Sequence, residues 1–190
     1  MKILFTFLLL LISQCKYVNA QEQNLKNIIL TDIQNQKELE LSFPKGKLLL
    51  LWFISPECPL CQNYSLTFNN LHNKYKDQIT VCGIIPGKSY SKEEILAFKT
   101  KFNIQYPIYL DSKKVLSEEL KIKITPTAAL FNKSGSSSYI GAIDNWAISL
   151  GKKRKETSEH YLENAIHELM LNKLVSVPYI EPVGCYINDL

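Results

Sequence analysis

The sequence predicts an α/β domain with a mixed central sheet and helices on both faces. Two apolar runs, residues 48–54 and 79–85, are hydrophobic on both sides, as strands covered on both faces are. Stretches of helical period stand between the strands. A strand pair and a last amphipathic helix then close the pattern, which favours a mixed sheet over a purely parallel one.

Along the chain, residues 27–43 read as a small hairpin, with Leu39, Leu41 and Phe43 alternating with polar residues before a turn at Pro44-Lys45-Gly46. Residues 48–54 form the central strand. Leu60, Tyr64, Phe68, Leu71 and Tyr75 then recur at helical spacing. A second buried strand covers 79–85. Ser91-Lys92-Glu93-Glu94 is a capping box that opens a helix carrying Ile95, Phe98 and Phe102. A short strand is expected at 106–110 and a short helix at 115–120. Residues 127–131 and 139–143 pair around Asn132-Lys133-Ser134-Gly135. The spacing predicts a helix over 157–174, with Tyr161, Leu162, Ala165, Ile166, Leu169 and Leu174 on its apolar side. The basic run Lys152-Lys153-Arg154-Lys155 reads as a solvated loop before that helix.

The organisation expected is a signal segment over 1–20, one domain over 25–174 and a tail over 175–190 that packs on it. Lys2 precedes an almost wholly apolar stretch, and Val18-Asn19-Ala20 ends in a small residue, so cleavage is expected after Ala20. That stretch is about ten residues, short of the ~20 that span a bilayer, so no stable span is expected after cleavage. Export, most simply to the periplasm, follows. Gln14 stands before Cys15 where a lipoprotein signal wants a small residue, so Cys15 leaves with the signal. Losing Lys2 and Lys16 lowers the formal charge from +4 to +2, too little for nucleic-acid binding.

Cys58, Cys61, Cys82 and Cys185 then remain. Cys58 and Cys61 fall where a strand ends and a helix begins. A helix start presents unpaired N–H groups and the positive end of the peptide dipole, which stabilise a thiolate, the reactive form. Pro59 suits the first helical position because it has no N–H to leave unpaired. Cys58 is therefore expected to be the exposed, attacking thiol. Cys61, one turn in, is expected to resolve a mixed disulfide formed at Cys58. Trp52, Phe53 and Pro56 are expected to form an apolar rim for partner docking. Thr125-Pro126 is the second signal. A cis bond there would set a sharp loop against the dithiol and leave a backbone edge free to pair with substrate. Cys82, between Val81 and Gly83, reads as a small core side chain. Cys185 has two readings: a tail thiol of no consequence, or a third thiol brought to the Cys58–Cys61 pair by a tail that folds back.

The central strand, Ser55-Pro56-Glu57-Cys58-Pro59-Leu60-Cys61, Tyr106-Pro107-Ile108-Tyr109-Leu110-Asp111 and Ile124-Thr125-Pro126-Thr127 together resemble the thioredoxin-like superfamily. Within it the chain is most similar to the extracytoplasmic TlpA/ResA-type and AhpC/TSA (redoxin) proteins, over roughly residues 25–170. The resemblance implies a three-layer sandwich and thiol–disulfide exchange with protein thiols or disulfides. It implies Cys58 as nucleophile, Cys61 as resolving thiol and Pro126 as the cis-proline, with no cofactor and no metal. The chain departs from the pattern of these families at Trp52, where thioredoxins usually bury an acid, and at Tyr64, where ResA-type proteins often carry a glutamate. The proton acceptor for Cys61 is therefore unassigned. The Pro-xxx-Thr-xx-Cys pattern of peroxiredoxins is missing, since Leu51 and Ile54 occupy the proline positions counted back from Cys58 and Cys61. The alternative reading is a thioredoxin-like copper-binding or redox-inactive module, because soft thiolates suit Cu(I). Copper chaperones of this fold, however, space the cysteines one residue further apart and add a downstream histidine. A zinc site would need two further ligands.

Overall fold

The computed structural model describes residues 25–187. The run that is apolar on both sides becomes β3 (Leu48–Phe53), and all six of its side chains are buried. Before it lie β1 (Ile29–Asp32) and β2 (Glu38–Glu40). After it come α1 (Pro59–Lys74), β4 (Ile79–Pro86), α2 (Lys92–Lys101), β5 (Ile108–Asp111), α3 (Val115–Glu119), β6 (Ile124–Thr125) and β7 (Thr127–Phe131). The chain continues through β8 (Ser137–Gly141), β9 (Ala147–Ser149), β10 (Lys152–Lys153) and α4 (Tyr161–Met170) to β11 (Tyr179–Ile180) and β12 (Cys185–Tyr186).

The main sheet runs β11-β8-β7-β3-β4-β5-β1-β2. β3, β4 and β5 are mutually parallel, β7 and β1 run antiparallel to them, and β8 runs antiparallel to β7, so the sheet is mixed. Successive residues of β3 feed opposite faces, as the pleat requires. Leu48, Leu50 and Trp52 pack with Phe68, Ile95, Phe98, Leu162 and Ile166 from α1, α2 and α4. Leu49, Leu51 and Phe53 pack with Leu116, Leu120 and Phe131 on the α3 side. Each fully buried side chain of this kind contributes roughly 1.5–3 kcal/mol. Among the described residues no helix is long and apolar enough to cross a membrane.

Short-range signals set the ends of the elements. Ser91 caps α2: its Oγ accepts from the Glu94 N–H at 3.2 Å and the Glu94 carboxylate accepts from the Ser91 N–H at 2.7 Å. Asp111, at the end of β5, is buried and anchors α3. Its carboxylate accepts from the Ser117 N–H at 2.8 Å, the Ser117 hydroxyl at 2.7 Å and the Leu116 N–H at 3.4 Å. Asp111→Ala leaves those buried donors without an acceptor. It is expected to cost about 2–3 kcal/mol, read from the urea midpoint at unchanged slope.

Several expectations need correction. The last helix is shorter than its apolar pattern, spanning Tyr161–Met170. Its N-terminal extension is lost because Asn145 Oδ1 accepts from the Ser158 and Glu159 N–H groups and holds them in a loop. At the other end Asn172 turns left-handed at φ 56°, so Leu174 is 93% exposed instead of facing the core. The basic run is not a plain loop: Lys152 and Lys153 form β10 against β9, and the Arg154 Nε donates to the Asn145 carbonyl at 2.8 Å. The strand expected at 106–110 starts at Ile108. The signal segment expected over 1–20 lies outside the described residues.

Candidate active site

β3 stops where its hydrogen-bond ladder gives out at Ile54, whose N–H still reaches the Ile84 carbonyl at 2.9 Å. The chain then turns through Ser55-Pro56-Glu57. The Cys58 N–H donates to the Ser55 carbonyl at 3.1 Å, and the Gln62 side-chain amide donates to the Pro56 carbonyl at 2.9 Å. Cys58 is the N-cap of α1, with φ −70° and ψ 116°, and Pro59 opens the helix. Cys61 sits in the first turn, fully buried, with its Sγ accepting from the Ser55 N–H at 3.4 Å. Ser55 also shares a 2.5 Å hydroxyl contact with Tyr90.

Opposite the helix start lies the junction of β6 and β7. The Thr125–Pro126 peptide is cis. When protonated, the Cys58 thiol donates to the Thr125 carbonyl at 3.3 Å. Thr127 fixes the same turn through its hydroxyl, which donates to the Ile124 carbonyl at 2.6 Å. The fold therefore brings together Cys58, Cys61, Thr125 and Pro126 from segments more than sixty residues apart.

The two thiols differ in character. Cys58 is pulled down from 9.0 to about 5, chiefly by a hydrogen bond from the Cys61 thiol. Burial opposes this, and the Cys185 thiol and the Cys61 and Leu60 N–H groups assist it. Cys61 is held well above its ordinary value, first by burial, then by its hydrogen bond to Cys58 and the negative charge that develops there. At neutral pH the pair thus holds one thiolate and one thiol. Cys58 binds fewer protons folded than unfolded. Its contribution to the stability of the reduced protein is therefore complete above pH 9 and is lost as pH falls through about 5. Iodoacetamide alkylation of Cys58, followed by peptide mass spectrometry, is expected to show its midpoint near pH 5 and a plateau at neutrality. A midpoint near 9 would mean that Cys61 and its neighbours do not acidify this thiol.

Three expectations fail in detail. Trp52 and Phe53 are fully buried and form no rim: they point to opposite faces of β3, and the Trp52 ring stacks on Phe68 with centroids 4.1 Å apart. Pro56 is buried too, beneath the turn that its carbonyl helps to hold. Cys58 is only 2% exposed, because Thr125 and the C-terminal tail close over it. Cys82 is buried on the α3 side and pushed up to about 12 by burial. His160, just before α4, and His167, on it, are exposed. Among the described residues no group of three His, Cys, Asp or Glu side chains is placed to hold a metal ion.

Near the dithiol, sequence reasoning missed one contact and left another as one of two readings. Tyr64 donates to Asp144 Oδ1 at 2.5 Å, so a carboxylate from a distant loop stands beside this position of α1. The tail also adds β12 to β6, with Cys185 opposite Thr125. The unpaired Cys185 is the sequence signal that pointed to a tail folded back on the pair, while the β12–β6 register had none.

A dithiol at a helix start, facing a cis-proline turn on a mixed sheet, defines a redox enzyme of the thioredoxin-like class. The chain belongs to the AhpC/TSA family, whose model matches residues 20–139. It is 26% identical over 137 residues to the thiol-disulfide oxidoreductase ResA of Bacillus cereus, covering 72% of this chain and 73% of that one. It is 25% identical over 122 residues to the thioredoxin-like protein YneN of Bacillus subtilis, covering 63% and 71%. Among solved structures, a hypothetical protein of Sinorhizobium meliloti superposes with a TM-score of 0.73 at 20% identity, covering 84% of this chain and 88% of that one. A secreted disulfide oxidoreductase of Mycobacterium tuberculosis superposes at 0.52 and 19% identity, covering 60% and 81%, and shares the fold.

Proposed function

We propose that this protein is an exported thiol–disulfide oxidoreductase that exchanges disulfides with protein partners through Cys58 and Cys61. The observation that carries this reading is the unequal pair: a thiolate at the N-cap of α1 beside a buried thiol one turn on. In the reducing direction, Cys58 attacks one sulfur of a partner disulfide. A Cys58–partner bond forms, and the other partner sulfur leaves as a thiolate. Cys61 then gives up its proton and attacks Cys58. The Cys58–Cys61 bond forms and the second partner sulfur leaves, so the partner gains two electrons and the pair loses two. The oxidising direction is the reverse.

Thr125 and Pro126 supply the wall against which a partner strand lies. Recognition of this kind, by main-chain pairing to a strand edge, tolerates many side chains. The names of the relatives agree with this activity, and the apolar N-terminal segment ending at Ala20 supports export. Two measurements test the reading. Equilibration with glutathione should convert the four-thiol form of residues 21–190 into a form with two thiols fewer, with Cys58 and Cys61 linked. Fractionation of cells expressing the full chain should recover it outside the cytoplasm, beginning at Gln21. An oxidised form with both of these thiols free would end the exchange reading, and cytoplasmic recovery would end the export reading.

A further inference from the structure

The edge beside the dithiol is already occupied by the chain's own tail. β11 anchors the tail by pairing in parallel with β8, where the Ile140 N–H reaches the Pro178 carbonyl and the Ala142 N–H reaches the Ile180 carbonyl, both at 3.0 Å. The chain then crosses to the site. β12 pairs antiparallel with β6, setting Cys185 opposite Thr125 and Tyr186 opposite Ile124. The Ile187 N–H donates to the Lys123 carbonyl at 2.9 Å, and the Ile187 side chain is buried in the core. Gly184 permits the approach, because a Cβ there would overlap the Thr125 carbonyl group. The Cys185 thiol lies within hydrogen-bonding reach of Cys58. These residues lie beyond the part of the chain that matches the family model.

We propose that residues 183–187 are a tethered occupant of the substrate-docking edge, and that Cys185 is a third redox thiol that takes over the disulfide at Cys58. This rests on the Cys58–Cys61 exchange reading and extends it. In the oxidised protein, Cys185 gives its proton to solvent and attacks the Cys58 sulfur. The Cys58–Cys185 bond forms, the Cys58–Cys61 bond breaks, and Cys61 leaves as a thiolate that takes up a proton. No electrons enter or leave, so no outside oxidant or reductant is needed. A partner must displace β12 to reach Cys58. The tail therefore acts as a competing substrate at high effective concentration, and it selects partners that bind the edge more tightly than it does.

The test uses the mature chain, residues 21–190. Cys61→Ser, treated with one equivalent of diamide as the two-electron oxidant, should yield an intramolecular Cys58–Cys185 disulfide, found as a linked peptide pair by mass spectrometry. Gly184→Val keeps every thiol but removes the close approach. Placed in the Cys61→Ser background, it should abolish the link. Placed in the wild-type background, it should speed alkylation of reduced Cys58 by roughly tenfold or more as access opens. If wild type exchanges disulfides but Cys61→Ser never links Cys58 to Cys185, the tail inference is overturned and the activity stands. Alkylation left unchanged by Gly184→Val would equally overturn it. If wild type shows no Cys58–Cys61 exchange, the underlying activity fails and the tail inference falls with it.

Discussion

Cys58→Ser should reduce dithiol-dependent reduction of a protein disulfide by at least about a thousandfold, because a serine hydroxyl does not ionise near neutrality and cannot form the sulfur–sulfur intermediate. The protein itself should survive the change. The Cys58 side chain makes no capping hydrogen bond to α1, and serine is a favoured N-cap residue that would accept from the helix N–H groups. Loss of turnover at unchanged thermal stability would separate chemistry from folding. Cys61→Ser should behave differently. The first attack proceeds but resolution by Cys61 cannot, so with Cys185 also replaced by serine, disulfide-linked complexes with partner proteins accumulate on non-reducing gels. Undiminished exchange in Cys58→Ser would place the reactive sulfur elsewhere and end the mechanism derived from this site.

Phe68→Ala should cause the largest loss of stability. Phe68 is fully buried on α1, and its ring lies nearly parallel to Trp52, with 9° between the planes. Trp52 in turn meets Tyr106 edge to face at 6.1 Å between centroids. Removing the ring forfeits its transfer energy and leaves a cavity that the flat indole cannot fill. The expected cost is about 3–5 kcal/mol. For a domain of this size that lowers the melting temperature by roughly 10 °C. The dithiol should also suffer, since α1 would no longer be held at a fixed height above β3. Thermal unfolding followed by tryptophan fluorescence reads the stability loss, with Trp52, one of two tryptophans, as the stacking partner, and the alkylation rate of Cys58 reads the effect on the dithiol. A shift of only one or two degrees would mean that this stack does not hold α1 to the sheet.

Local rules reached much of this architecture. Residues 48–54 are apolar without interruption, so they identify the central strand unaided. The capping box at Ser91 and the proline after Cys58 mark helix starts because their partners lie within four residues. The dithiol and Thr125-Pro126 are legible for the same reason. The rest depends on distant parts of the chain. Trp52 looks like a rim residue beside the cysteines, but strand alternation cannot say which face α1 will cover. Tyr64 finds Asp144 across eighty positions of sequence. The last helix is trimmed by Asn145, a loop residue whose amide oxygen competes for the same N–H groups. β12 holds two residues and has no periodicity to read. Its place is set by the shape of Gly184 against a carbonyl group formed sixty residues earlier.

The main sheet ends on one side in β2, three residues long with Glu38 and Glu40 exposed, and on the other in β11, two residues between Pro178 and Pro182. A short border carrying negative charge, and one flanked by residues without an N–H, are poor templates for a strand from a second molecule. The β6 edge proposed for partner docking lies in a separate two-stranded sheet, away from these outer borders. Copies at high concentration should resist fibril growth and precipitation along the sheet.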